Sequence, residues 1–236
     1  MPDTRDRVLL TRPEAGATAT AARVAARGFV PVIAPLARIE RLAAKLPNPA
    51  GLQAMIVTSS NALAAIPSEW RTLPLFAVGD ATAVRARADG FRSVASASGD
   101  AGDLACLIAR SAAPNAGPLL LASGAGQGTG LAERLERAGF SVIRREVYAT
   151  RMAAELPDPA RVALDSGRLR SALFFSAETA RTFVALVIAE ERDDQMRTID
   201  ALAIGRPAGV ALEQLPWQAV HVAARPTQDD LLALLR

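Results

Sequence analysis

From Val8 onward the chain repeats its own pattern at a constant offset of 111 positions. Leu9-Leu10 falls on Leu120-Leu121, Arg23 on Arg134, and Gly28-Phe29 on Gly139-Phe140. Further along, the offset widens as loop insertions make it: Thr58-Ser59 matches Phe175-Ser176, Ala77-Val78-Gly79 matches Ala203-Ile204-Gly205, and Asp103-Leu104 matches Asp230-Leu231. Any one match is chance; several in the same order point to duplication. An architecture assigned to one half must therefore also serve the other.

Both copies consist of short apolar runs alternating with Ala-rich stretches of helical length. The runs predict strands at Val8–Thr11, Val30–Ala34, Ala54–Thr58, Leu75–Val78 and Ser93–Ala97, and again at Pro118–Ala122, Ser141–Tyr148, Ala172–Ser176, Ala201–Ile204 and Ala219–Ala223. Most are continuously apolar, as strands covered on both faces of a parallel sheet tend to be. The fold class is α/β, in two similar five-stranded units. Two further stretches, Pro35–Glu40 and Arg144–Thr150, alternate polar with apolar residues and read as extended. If they pair, the chain crosses between domains near residue 36 and returns near 149. Domain A is then discontinuous (1–35 and 151–236), with domain B (36–150) inserted. Two sequential domains divided near residue 115 are the alternative.

Half of the chain is apolar, so a sizeable core is expected. No apolar run approaches the ~20 residues that cross a bilayer, and the residues ahead of Val8 lack a signal-peptide layout. A cytoplasmic protein with no membrane partner is expected. Cys106 and His221 are the only cysteine and histidine. Cys106, within the apolar Leu104–Ile108, is expected to be buried packing; His221, between Val220 and Val222, is expected to be structural on a strand. One of each offers neither a cysteine-rich metal site nor a marked serine–histidine arrangement, so no metal and no cofactor is expected. The net charge is +3, and Lys45 is the sole lysine. Arginine stays charged and grips carboxylates through paired N–H groups. Here it is dispersed, without the basic run and interleaved aromatics of a nucleic-acid surface. A small polyanion suits this balance better than nucleic acid.

In open parallel sheets, ligands bind beyond the carboxyl ends of the strands, near unsatisfied N–H groups of helix starts. Those positions hold Thr11-Arg12-Pro13, Thr58-Ser59-Ser60-Asn61, Gly79-Asp80-Ala81-Thr82, Ser123-Gly124, Ser176-Ala177-Glu178-Thr179, Gly205-Arg206 and Arg225-Pro226-Thr227. Routine helix N-capping accounts for any one of them; recurrence at nearly every strand end points to an anion-holding site. The glycine-rich segment Gly124–Gly130 matches neither G-x-G-x-x-G nor a P-loop, and Ser141–Ile143 ends in Arg144-Arg145 rather than in an acid for a ribose. A flexible turn facing a substrate carboxylate is expected there. Arg12 either clamps a carboxylate or pairs with Glu14. Tyr148, the sole tyrosine, either donates a proton or hydrogen bond to a ligand or anchors the chain by packing.

Taken together, these residues resemble the uroporphyrinogen-III synthase family over nearly the whole chain. The resemblance rests on Thr11-Arg12-Pro13, Val57–Ala62, Val78–Ala83, Val147-Tyr148, Phe175-Ser176, Ala203-Ile204-Gly205 and Arg225-Pro226-Thr227. It implies two flavodoxin-like parallel-sheet domains joined by a two-stranded β-ladder, one of them discontinuous. It also implies the substrate hydroxymethylbilane, a linear tetrapyrrole with eight carboxylates. The terminal hydroxyl leaves as water, ring D inverts through a spiro intermediate, and the macrocycle closes without metal or organic cofactor. On matching positions Tyr148 resembles the tyrosine that assists hydroxyl departure, and Thr58, Ser59, Thr82 and Ser176 resemble positions that hold substrate carboxylates. Thr11, Arg12, Asn61, Gly79, Ser123, Gly124, Gly205, Arg206 and Thr227 complete the expected substrate-binding set. Two departures stand out. Arg206-Pro207-Ala208 follows Gly205 where the family often has a Thr pair, and Glu178 places a carboxylate beside Ser176. The chemistry asks mostly for positioning, and a monomer free to close on its substrate is expected. A non-catalytic two-domain module that clamps a small polyanion is the alternative. A receiver domain lacks its acidic pair here, and a dehydrogenase its glycine fingerprint.

Overall fold

Strands and helices follow one another along residues 6–235, the part of the chain that the computed structural model describes. In chain order they are β1 (Arg7–Leu10), α1 (Glu14–Ala25), β2 (Val30–Ile33), β3 (Ala37–Arg41), β4 (Ala54–Val57), β5 (Leu75–Ala77), α2 (Asp80–Ala88), β6 (Val94–Ser96), α3 (Ala101–Ser111) and β7 (Leu119–Gly124). Then follow α4 (Thr129–Arg137), β8 (Val142–Met152), α5 (Asp158–Asp165), β9 (Leu169–Phe174), α6 (Ala177–Ala189), β10 (Asp200–Ala203), α7 (Arg206–Leu212), β11 (Ala219–Val222) and α8 (Gln228–Leu232). All ten apolar runs read as strands lie on strands. No helix among the described residues is long and apolar enough to cross a membrane.

The strands form two sheets, ordered β11-β10-β9-β1-β2 and β3-β8-β7-β4-β5-β6. The five-stranded sheet is parallel throughout, as is the six-stranded one from β8 to β6. The stretches read as extended, Pro35–Glu40 and Arg144–Thr150, fall largely on β3 and within β8 and pair with each other, which gives the second sheet six strands. There β8 runs for 11 residues, and β3 lines its outer edge. The Leu36 carbonyl accepts from the Ala153 N–H and the Leu42 N–H donates to the Val147 carbonyl, each at 2.9 Å. Pairing that edge satisfies backbone groups a long strand would otherwise leave open.

The chain divides into two compact units, one built from the residues up to Arg38 together with those from Arg151 onward, the other from Ile39–Thr150. The boundaries fall inside β3 and β8. The internal repeat is visible in the strand orders: β2-β1-β9-β10-β11 in one sheet matches β8-β7-β4-β5-β6 in the other. Each sheet thus joins the opening strands of one copy to the closing strands of the other. The matched glycines Gly28 and Gly139, just past α1 and α4, both have φ +89°. A Cβ is strained in that left-handed conformation, so each helix ends on glycine.

Alternation along the strands sorts side chains onto the two faces of each sheet. In the first unit, Leu9, Ala172, Phe174, Ala201 and Ala203 pack with α5–α7 on one side, while Val8, Leu10, Leu173 and Leu202 pack with Val24, Leu231 and Leu232 on the other. In the second, Met55, Val57, Leu120 and Ala122 face one cluster, and Ala54, Ile56, Leu119 and Leu121 the other. Helix α3 buries Leu104, Ala105 and Ile108. Cys106, one step round the helix from Ala105, is exposed, which corrects the expectation that it packs in the core: residues adjacent in a helix face directions about 100° apart.

A charge network ties α5 to the end of α6. The Glu190 carboxylate accepts from Arg161 Nη2 at 2.9 Å, from the Leu156 N–H at 3.2 Å and from Arg192 Nε at 3.2 Å. Hydrogen bonding to Arg161, chiefly, lowers the Glu190 pKa below its ordinary 4.5. A carboxylate whose folded pKa is depressed adds stability above its unfolded pKa and loses it as pH falls through the folded one. Glu190→Gln is therefore expected to destabilise the protein more at pH 7 than at pH 3. Urea midpoints at the two pH values check this; an equal loss at both would show that the ion pairs contribute nothing.

Candidate active site

The strand ends of the matched halves are built alike. Ser59 and Ser176 both sit in extended backbone (φ −151° and −157°) and cap the turn that follows. Ser59 Oγ accepts from the Asn61 N–H at 3.2 Å, and Ser176 Oγ from the Thr179 N–H at 3.1 Å. Gly79 and Gly205 likewise start α2 and α7 from extended backbone, without a side-chain cap. Thr82 lies in the first turn of α2 and is 8% exposed. Arg206 opens α7 exposed to solvent. Glu178 is exposed in the first turn of α6.

Three of the expected hydroxyls donate to other groups of the chain, two of them in its interior. Thr11, fully buried, donates to the Leu173 carbonyl at 2.7 Å and so ties β1 to β9. Ser123, also fully buried, donates to the Gln127 carbonyl at 3.1 Å. Thr227 caps α8 and donates to Asp230 Oδ2 at 2.6 Å, an atom that also accepts from Arg225 Nε at 2.9 Å. Each of these groups shapes a strand end through its backbone and its neighbours.

Arg12 is half-buried just beyond β1. Its Nη1 donates to Thr20 Oγ1 and to Gln228 Oε1, both at 3.0 Å, and its guanidinium lies 4.6 Å from the centre of the Phe175 ring. Glu14 is not its partner: the described residues supply Arg12 with no carboxylate.

In the second unit the end of β7 meets β8 at Tyr148, which pairs with Gly124. Its ring is buried, 3% exposed, and is seated on Gly124, where a Cβ would come within 2.8 Å of a ring carbon. Its carbonyl accepts from the Ala125 N–H at 2.8 Å, and its hydroxyl donates to Gln127 Oε1 at 3.2 Å. The glycine-rich loop makes two hydrogen bonds to β8. Gly126 N–H donates to Glu146 at 2.9 Å, and Arg144 Nη1 donates to the Gln127 carbonyl at 2.8 Å. The first of these bonds is the main reason the Glu146 pKa is lowered. Beside the loop lies an open cavity of about 470 Å³ lined by Thr58, Ala101, Gln127, Gly128, Gly130, Leu131 and Arg134. It brings Thr58, after β4, together with the loop after β7. Gln127 and Arg134 were not among the expected site residues, and the Tyr148 hydroxyl that meets Gln127 is 21 positions away. Among the described residues no group of three or more His, Cys, Asp or Glu could hold a metal ion.

Parallel sheets with helices between their strands make this an α/β protein of the doubly wound kind, a class whose ligands generally bind beyond the carboxyl ends of the strands. The family model described as uroporphyrinogen-III synthase HemD matches residues 18–233. The chain belongs to the uroporphyrinogen-III synthase family, cyclising lyases of tetrapyrrole biosynthesis. Its fold is shared with the crystal structure of a uroporphyrinogen-III synthetase from Helicobacter pylori, at TM-score 0.64 and 16% identity, over 98% of this chain and 97% of that one. A mutant uroporphyrinogen III synthase from the extremely thermophilic bacterium Thermus thermophilus aligns at TM-score 0.49 and 19% identity, over 98% and 96%. No curated protein matches the sequence.

Proposed function

We propose that this protein cyclises hydroxymethylbilane to uroporphyrinogen III, inverting ring D and releasing water, in tetrapyrrole (haem) biosynthesis. The observation that carries this reading is the family match over residues 18–233, which takes in parts of both units. Departure of the hydroxyl as water needs a proton or a strong hydrogen bond at the leaving oxygen while a pyrrole nitrogen supplies electrons. Tyr148 fits that role: its ring is fixed by Gly124 and its O–H is held by one neutral amide, Gln127. Such a donor can turn to a ligand at little cost in order. Substrate carboxylates are held by Arg12 and Arg206, by the side chains of Thr58, Ser59, Asn61, Thr82 and Ser176, and by N–H groups around Gly79, Gly124 and Gly205. Thr11, Ser123 and Thr227 serve that surface by bracing it.

The deciding experiment incubates the protein with freshly prepared hydroxymethylbilane and separates the uroporphyrinogen isomers. Isomer III is expected. Isomer I alone, with the bilane still bound, would mark a non-catalytic module that clamps a polyanion. The same reading makes the two units domains A and B of a cytoplasmic monomer that acts on a small molecule, without nucleic acid, metal or organic cofactor. Size-exclusion chromatography with light scattering, and activity retained in a strong chelator, test the monomer and the absence of a metal.

A further inference from the structure

Arg12, Arg161 and Arg192 of the first unit are each partly withdrawn from water, and Arg12 differs from the other two. Arg161 is surrounded by Glu190, Glu155 and Asp158, and Arg192 by Asp165 and Glu190. Arg12 has only neutral company, although acids lie on the elements around it. Asp229 pairs with Arg23, and Asp230 with Arg225 and Thr227. Glu14 stays exposed in the first turn of α1. Burial lowers the Arg12 pKa, and no charged partner among the described residues offsets it. A cation desolvated without a counter-ion is costly, yet it is held firmly here. Both of its recorded bonds leave from Nη1, so the N–H groups of Nη2 and Nε have no acceptor among the described residues. That edge is the one with which arginine grips a carboxylate in parallel.

Space for this arrangement comes from Gly16. A Cβ at residue 16 would lie 2.2 Å from Arg12 Nη2 and 2.5 Å from Nε, so any side chain there displaces the guanidinium. Thr20, one turn on along α1, is fully buried and donates its own hydroxyl proton to the Gly16 carbonyl at 2.9 Å. Its oxygen therefore faces Arg12 as an acceptor.

We propose that Gly16, Thr20, Gln228 and Phe175 are positioning residues that hold Arg12 as a pre-oriented, uncompensated guanidinium for one carboxylate of the substrate. This rests on the reading that the substrate is a polycarboxylate tetrapyrrole. The clamp binds the substrate equally before and during the reaction, so its loss appears in KM rather than in kcat.

The test is a mutant cycle with two readouts: steady-state kinetics with hydroxymethylbilane, and equilibrium titration with uroporphyrin III followed by its fluorescence. Arg12→Gln is expected to raise KM and weaken uroporphyrin binding by roughly tenfold or more, with kcat within about twofold. Gly16→Ala is expected to move both in the same direction, by less. Because Gly16 acts through Arg12, the double variant should be no worse than Arg12→Gln alone. Gln228→Leu, at a partly exposed site, supplies the same comparison should Gly16→Ala fail to fold. An unchanged KM for Arg12→Gln in an enzyme that makes isomer III overturns the clamp and leaves the proposed reaction standing; so does full additivity of Gly16→Ala, or of Gln228→Leu in its place, with Arg12→Gln. A wild-type protein that makes only isomer I overturns the reaction, and the substrate clamp with it.

Discussion

Tyr148→Phe is expected to lower kcat by roughly 10²-fold, at the lower end of what a positioned proton donor contributes, and to leave measurable formation of uroporphyrinogen III. The substitution removes one oxygen and little else. The ring stays seated on Gly124 and the carbonyl stays bonded to the Ala125 N–H, so folding and substrate binding should change little. Gln127 Oε1 loses its donor, but Gln127 is exposed and water can replace it. Residual activity is expected because the pyrrole nitrogen drives hydroxyl departure and the site contributes chiefly by arranging the chain. Initial rates on fresh hydroxymethylbilane, with the isomers separated, give kcat and KM independently. A kcat within twofold of wild type would remove Tyr148 from the chemistry.

Phe183→Ala is expected to cost about 4 kcal/mol of stability. Phe183 is fully buried on α6. Its ring lies edge-on to Phe174 at 5.3 Å and is stacked on Trp217 at 5.8 Å, and Trp217 is itself fixed by its indole N–H donating to the Leu212 carbonyl at 2.8 Å. Truncation opens a cavity between three elements that hold one another in place, so relaxation can fill little of it. Aromatic pairing adds about 0.5–1.5 kcal/mol per ring pair beyond the area buried. Urea denaturation followed by tryptophan fluorescence checks the prediction; a loss below about 1.5 kcal/mol would mean that the site collapses around the gap. Phe183→Leu should lie well between the two.

Arg206 and Glu178, the two departures from the family pattern, are both exposed at helix starts. Solvent already hydrates Glu178, so its charge carries no burial cost that only a ligand could relieve. Arg206 differs from Arg12 in the same respect, because no cradle of neighbouring groups orders its fork. These are differences of tertiary setting between residues that look equivalent in the chain.

Periodicity along the sequence reports local conformation and burial, and here it placed the ten apolar strands, the parallel α/β class and the matched glycines at the ends of α1 and α4. Those features depend on neighbours within a few residues and on which face of an element is dry, both written in residue order. The unbroken length of β8, the exposure of Cys106 and the hydrogen bonds made by the loop at Gly126 needed the folded chain. So did the separation of available donors from engaged ones. Thr11 bonds a carbonyl 162 positions away, Arg12 is held by a glutamine 216 positions away, and the Tyr148 hydroxyl meets an amide 21 positions back. A hydroxyl or guanidinium has the same appearance in a sequence whether its partner is a ligand or a distant carbonyl. Only the packing of the two faces of each sheet decides which it is.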